Sequence, residues 1–149
     1  MKNYHLKLKK ELNNEVFHLQ VYEFNSINAE RIQQLVPDTC CVFIIFDITN
    51  RGTFTNLLNT WLIWLRDTIK YQGAVFILGN IIDNTKFRCT DKDEILELIQ
   101  VSEVQAQYFE VGDQSNNEKN AQIDKLIMEA EDEKKKRADG SKDKNCLIF

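Results

Sequence analysis

The fold is decided by residues 41–84, which begin with CVFIIFDITN (residues 41–50) and end with AVFILGNIIDN (residues 74–84). Each segment contains a short apolar run closed by polar residues, which is typical of a strand buried on both faces of a sheet. Between them, apolar residues recur at helical spacing from Phe54 to Ile69. The stretch therefore predicts a β-α-β unit, with strands Cys41–Asp47 and Val75–Gly79 and a helix Phe54–Lys70 capped by Thr49 or Asn50.

Ligands in open sheets of such units bind beyond the carboxyl ends of the strands. This rule selects Asp47, Asn80 and Asp83 as candidate site residues. Simpler roles remain open, because Asp47 can fix its turn by bonding to the backbone, and Asn80 with Asp83 can form a turn and a helix cap.

Composition narrows the class of protein. The chain has 149 residues, 43% of them hydrophobic, and a net charge of −4. One domain of this size buries a core without disulfides or metal, and no stretch interleaves basic and aromatic residues, so nucleic acid is not an expected partner. The longest apolar run, residues 40–46, is far short of the ~20 residues that span a bilayer, and residues 1–10 lack the apolar core of a signal peptide. We expect a cytosolic chain with free thiols.

The other elements follow from local patterns. Alternating residues around Asn13 and Asn14 predict an antiparallel hairpin, and residues 23–38 read as a loop with a short helix at Asn28–Leu35. Thr90–Asp93 resembles a capping box that opens a helix, Gln107–Val111 predicts a final strand, and a closing helix follows. Trp64 lies off the apolar stripe of its helix, which predicts a half-exposed ring or a docking surface.

Four segments together resemble the Rab-type small GTPases of the Ras superfamily. They are LQVYE (residues 19–23), FDITNRGTFTN (46–56) followed by Trp61 and Leu62, FILGN (76–80) followed by Asp83, and YFEV (108–111) followed by NNE (116–118). The resemblance covers about residues 3–130. It implies an α/β Ras-like sheet of the P-loop NTPase type with helices on both faces, GTP or GDP and magnesium as ligands, and GTP hydrolysis as the activity.

The chain departs from that family at its beginning. No segment matches the phosphate-binding pattern G-x-x-x-x-G-K-[ST], and Met1 aligns where the family enters its second strand. The domain, residues 1–130, is therefore expected to lack the first strand, the phosphate loop and the first helix. The resemblance leads us to expect the missing strand between Cys41–Asp47 and Val75–Gly79. These strands would close on each other, another segment or chain would fill the gap, or the sequence lacks its true N-terminus.

The magnesium and γ-phosphate loop of the family aligns with residues 23–26. Glu23 takes the place of its aspartate, Ser26 that of its glycine, and Ile27 that of its catalytic glutamine. An isoleucine cannot orient a water molecule, so the sequence predicts no catalytic residue. Glu23 is the only candidate for a metal site, and its simpler role is that of a solvated loop acid.

The guanine-reading loop keeps two of its residues. The resemblance assigns base recognition to Asn80 and Asp83, but Ile81 stands where the family has lysine, and Gly112 begins a segment that replaces Ser-Ala-Lys. We expect weak or absent nucleotide binding. This gives a degenerate GTPase as the first hypothesis.

The last four residues, Cys146-Leu-Ile-Phe149, form a C-a-a-X box in which a final Phe favours geranylgeranyl. Residues 131–149 are charged and lack apolar periodicity, which predicts a flexible tail. One prenyl chain anchors reversibly, and the tail adds a net charge of only +1. The predicted partners are therefore the cytoplasmic face of an intracellular membrane, the prenylation machinery, an escort protein and effectors.

Three functional hypotheses result, and one of them is a soluble interaction module without a lipid. The first is a membrane-tethered, Rab-like protein of vesicle trafficking that acts through protein contacts. The alternative is a GTP-binding and GTP-hydrolysing small GTPase whose N-terminal segment is missing from this sequence.

Overall fold

The computed structural model describes residues 4–28, 30–81, 85–112, 116–137 and 145–148. The elements are β1 (Tyr4–Leu12), β2 (Glu15–Glu23), α1 (Glu30–Leu35), β3 (Cys41–Asp47), α2 (beginning at Arg51–Asn56), β4 (Ala74–Asn80), α3 (Lys92–Val101), β5 (Ala106–Val111), α4 (Asn116–Arg137) and β6 (Asn145–Ile148). The strands form one sheet in the order β1-β2-β6-β3-β4-β5, in which β1 is antiparallel to β2 and the other neighbours are parallel.

Helices cover both faces of this sheet, which confirms the predicted α/β architecture. One core cluster packs α1, α2 and α3 against the sheet through residues such as Ile32, Phe54 and Ile95. The second packs α4 against the other face through Leu126, Ile127 and Ala130. Strands that lie between two such layers are buried on both sides, which explains the continuous apolar runs in β3 and β4.

The predicted gap in the sheet lies elsewhere. β3 and β4 pair directly over their whole length, from Cys41 opposite Ala74 to Asp47 opposite Asn80. The expected position of the missing strand between them was therefore wrong, and the first expected outcome, in which these two strands close on each other, is confirmed. The place between β2 and β3 is taken by β6. A segment of the chain therefore fills a place in the sheet between β2 and β3, and not between β3 and β4 as expected.

The predicted hairpin is confirmed. β1 and β2 pair from Tyr4 opposite Glu23 to Leu12 opposite Glu15. The two turn residues, Asn13 and Asn14, have φ of 50° and 64°. Asparagine tolerates this left-handed region better than most residues, and two such residues in succession match the twist of an antiparallel hairpin.

The α2 helix widens after its first turns. Its cap is Asn50, whose side chain accepts a hydrogen bond from Gly52 N, and it continues in π-helical turns over Leu57–Leu62 and Trp64–Ile69. Wider turns rotate later residues relative to an α-helical stripe. As a result Trp64 is buried, at 5% exposure, and its ring packs edge-on against Trp61 at 6.3 Å. The prediction that the Trp64 ring is half-exposed was wrong.

The ends of two other helices differ from the sequence patterns. α3 has Asp91 as its N-cap, without a side-chain cap bond, so Thr90–Asp93 is not a capping box. α4 continues through Glu131, which is buried, to Arg137, so the helix enters the segment predicted to be a flexible tail. Within the described residues, no helix is both long and apolar enough to cross a membrane.

Candidate functional site

The carboxyl ends of β3, β4 and β5 meet at one edge of the sheet. Asp47 lies in register with Asn80, and Asn80 with Val111. Beyond the strands, Ile48 N donates to Asn80 O at 3.0 Å and Ile81 N donates to Val111 O at 3.4 Å. The structure therefore brings Asp47 and Asn80 together at the edge that the sequence selected.

The carboxylate of Asp47 forms hydrogen bonds within its own turn. Its Oδ1 accepts hydrogen bonds from Thr49 N at 2.9 Å and from Thr49 Oγ1 at 2.6 Å. The Thr53 hydroxyl donates to the Asp47 carbonyl at 2.9 Å and accepts from its amide at 3.0 Å. These bonds tie the end of β3 to the start of α2, which confirms the interpretation of Asp47 as a turn residue.

Asn80 is the one predicted guanine-reading residue that the structure describes, and it is half-buried at the end of β4. Asp83 lies outside the described residues. Ile81, in the place of the family's lysine, is exposed, and its Cδ1 is 3.8 Å from where a Cβ would stand on Gly112. The two replaced loop positions are thus neighbours, and an isoleucine supplies apolar surface where a charged amine is expected.

The end of β2 and the loop after it contain Glu23, the candidate for a metal site, with Ser26 and Ile27. Glu23 is exposed at the end of β2, and Ser26 Oγ accepts a hydrogen bond from Asn28 N at 3.1 Å in a local turn. Ile27 packs against the core cluster of α1, α2 and α3. Among the described residues no three His, Cys, Asp or Glu side chains are grouped so that they could hold a metal ion together.

Sequence reasoning missed a polar cluster beside this edge. Arg88 forms two hydrogen bonds with the Glu110 carboxylate, and Tyr108 Oη donates to Glu110 Oε1 at 2.8 Å. Tyr108 and Glu110 are two apart on β5 and therefore share a face, which was a signal available in the sequence. The Arg88 partner was not predictable, because it comes from a distant loop.

The charges of this cluster depend on one another. The guanidinium of Arg88, and then the hydroxyl of Tyr108, hold the pKa of Glu110 below its ordinary value. Burial, followed by the bond to Glu110, raises the pKa of Tyr108 well above its ordinary value. At neutral pH Glu110 is therefore deprotonated and Tyr108 is protonated. The cluster connects β5 to the loop before α3 and does not act as an acid-base pair.

A cleft lies at the opposite edge of the sheet. It has a volume of about 980 Å³ and is lined by the end of α2 and the amino ends of β4 and β5, including Arg66, Tyr71 and Gln105. Ligands of parallel sheets bind at the carboxyl ends instead. We therefore assign the candidate site to the edge of Asp47 and Asn80.

Cys146 belongs to β6, where its Cα is in register with Val21 and Cys41. The structure describes the backbone of this strand. The lipid on Cys146 remains a prediction.

A comparison with known protein families matches residues 10–132 to the Ras family. The match includes β2, β3, β4 and β5 and the loops that join them. No curated protein matches the chain. The order of the elements, the helices on both faces and the match over most of the chain agree, so the chain belongs to the Ras family of small GTPases.

Proposed function

We propose that this chain is a Rab-like member of the family that acts in vesicle trafficking through protein contacts instead of GTP hydrolysis, and that a prenyl group on Cys146 holds it at the cytoplasmic face of an intracellular membrane. The proposal has two separable parts, the lost nucleotide chemistry and the lipid anchor. Each has its own support and its own test.

Ile27 carries the first part. It stands where the resemblance places the water-orienting glutamine, and its side chain packs against the core cluster that includes α1. A glutamine in that role needs a polar side chain directed at the γ-phosphate. The neighbouring Ser26 forms a local turn with Asn28. Both features favour a loop that serves packing over one that serves hydrolysis.

The contact between Ile81 and Gly112 supports weak nucleotide binding. Ile81 lies 3.8 Å from the Cβ position of Gly112 and cannot offer the ammonium group that its family counterpart provides. Protein contacts are supported by a different residue. Phe87, which follows the loop of Ile81, is 94% exposed. A large exposed aromatic side chain is an anchor of the kind that protein interfaces favour.

The lipid anchor rests on the chemistry of the C-a-a-X box Cys146-Leu-Ile-Phe149. The thiol sulfur would displace pyrophosphate from C1 of an isoprenyl diphosphate, forming a thioether and releasing the thiol proton. One chain gives reversible attachment. An escort protein and effectors would then select the membrane.

Fluorescent GDP and GTP binding, with and without magnesium, tests the first part. We expect no saturable magnesium-dependent binding at micromolar nucleotide and no phosphate release, both in the natural chain and in Ile27→Gln. An active member of the Ras family serves as the positive control. Tight magnesium-dependent GTP binding by the natural chain would contradict a degenerate GTPase.

Intact-mass measurement after expression in a prenylating cell tests the second part. We expect the mass of a geranylgeranyl group on the natural chain and its absence from Cys146→Ser. An unmodified natural chain would refute the anchor and leave the first part standing.

The alternative, a GTP-binding switch, is favoured by one observation. Asn80 ends β4 in register with Asp47, where a guanine-reading residue belongs. Nucleotide binding that Asn80→Ala abolishes would support this alternative.

A further inference from the structure

The sheet contains a place for one strand between β2 and β3. β6 pairs with β2 from Gln20 opposite Asn145 to Glu23 opposite Ile148. It pairs with β3 from Cys41 opposite Cys146 to Phe43 opposite Ile148. A strand hydrogen-bonded on both edges is an interior strand, so residues 145–148 lie in the middle of the sheet.

We propose that this slot is a binding site for an extended apolar strand, and that its ligand is the chain's own segment 145–148, inserted in cis. A segment inserted in this way cannot at the same time be the tail that carries a lipid. The exclusion of the lipid rests on the proposed lipid anchor. The insertion of residues 145–148 into the slot does not depend on it.

The edges of the slot need an occupant. Cys41 and Val42 on β3 are fully buried, and Tyr22 on β2 is 7% exposed. Backbone groups of a buried strand edge that face neither water nor a partner strand destabilise the fold. β2 and β3 are joined only through β6 in the described sheet, so removing the segment leaves two unpaired edges.

The sequence of the segment suits the slot. Asn-Cys-Leu-Ile is mainly apolar, as strands covered on both faces are. The same two aliphatic residues that follow the cysteine in a C-a-a-X box are therefore residues that a central strand requires. One short sequence satisfies two different structural demands.

The insertion is short enough to reverse. β6 meets β3 at three positions only, although β3 continues from Ile44 to Asp47 beyond them. Ile45, in that continuation, is 45% exposed. Short pairing that ends beside solvent opens at lower free energy than the long pairing of β3 with β4. The segment can then leave the sheet while the remaining strands stay paired.

Amide hydrogen exchange on the full chain tests the insertion. We expect residues 145–148 to exchange about 10-fold or more slowly than residues 13–14 in the hairpin turn. Exchange of both segments at the same fast rate would overturn the proposal. Protection that disappears on dilution, together with a dimer, would also overturn it, because the segment would then be inserted in trans.

A proline variant tests the edges of the slot. Leu147→Pro removes a backbone donor within β6. Phe87→Pro, in a described loop outside the strands, is the matched control. We expect residues 20–23 and 41–43 to lose protection by about 10-fold in Leu147→Pro alone, with Ile77 and Phe109 unchanged. Unchanged protection at residues 20–23 and 41–43 would contradict the slot. If Leu147→Pro does not fold, amide hydrogen exchange of residues 145–148 in the natural chain decides whether the segment is inserted.

Prenylation in vitro tests the exclusion. With a purified prenyltransferase and geranylgeranyl diphosphate, we expect the folded chain to be modified about 10-fold more slowly than a peptide of residues 142–149, since the segment must first open. Equal rates would overturn the exclusion. A peptide that is not modified refutes the lipid anchor instead, and the exchange results still decide on the strand.

Discussion

The hydroxyl of Tyr108 on β5 lies directly over Gly79 on β4. A Cβ added at Gly79 would stand 2.5 Å from Tyr108 Oη and 2.8 Å from Ile48 Cγ2. Only glycine leaves room for this approach. The contact places the Tyr108 hydroxyl where it reaches Glu110 and so fixes the polar cluster next to Asn80.

Gly79→Ala should therefore destabilise the fold by about 1–3 kcal/mol through overpacking. Urea denaturation measures the loss. Gly112→Ala is the matched control, because its Cβ would meet Ile81 at an ordinary 3.8 Å. We expect Tyr108→Phe to recover part of the loss in the double variant, since it removes the nearest atom. Equal stability of the two alanine variants would contradict the contact.

Glu110→Gln should lower stability at neutral pH and have little effect in acid. The pKa of folded Glu110 is below its ordinary value, so its stabilisation is present above the pKa of the unfolded chain and is lost as the pH falls through the folded value. Arg88 and Glu110 are 33% and 31% exposed, so solvent screening limits the loss to about 1 kcal/mol. Urea titrations at pH 7 and pH 3 measure it. Glu97→Gln, at an exposed position of α3, is the control. If Glu110→Gln lowers stability equally at both pH values, the ionised carboxylate of Glu110 is not what stabilises the fold.

Asp47→Ala should cost about 1–2 kcal/mol, because the amide and hydroxyl of Thr49 lose their acceptor. Asp47→Asn keeps an oxygen at that position and should lose less. Thermal unfolding of both variants checks the order. If Asp47→Ala and Asp47→Asn both leave the unfolding temperature unchanged, the carboxylate does not stabilise the turn.

Trp64→Ala should destabilise the chain by about 3–5 kcal/mol, as expected for truncation of a buried aromatic residue. The adjacent Ile63 is 42% exposed, so Ile63→Ala should cost far less. Denaturant titration of the pair tests whether α2 turns Trp64 inward. A larger loss for Ile63→Ala would mean that the helix presents its other face to the sheet.

Much of the fold follows from local sequence. The hairpin at Asn13 and Asn14, the strands on either side of α2 and the Asn50 cap depend on residues close together in the chain, and all are present. The site is predicted less completely. Asp47 and Asn80 meet as expected from parallel strands, whereas Arg88 reaches Glu110 across 22 residues of sequence.

The sequence by itself determined the alternation of strands and helices, membership in a Ras-like class and the residues at the carboxyl edge, because periodicity and turn chemistry act over a few residues. The tertiary structure decided which strands are neighbours, the inward turn of Trp64 and the insertion of residues 145–148 between β2 and β3. Strand pairing depends on which edges remain open after the other elements have packed. No pattern within four residues at the end of a chain contains that information.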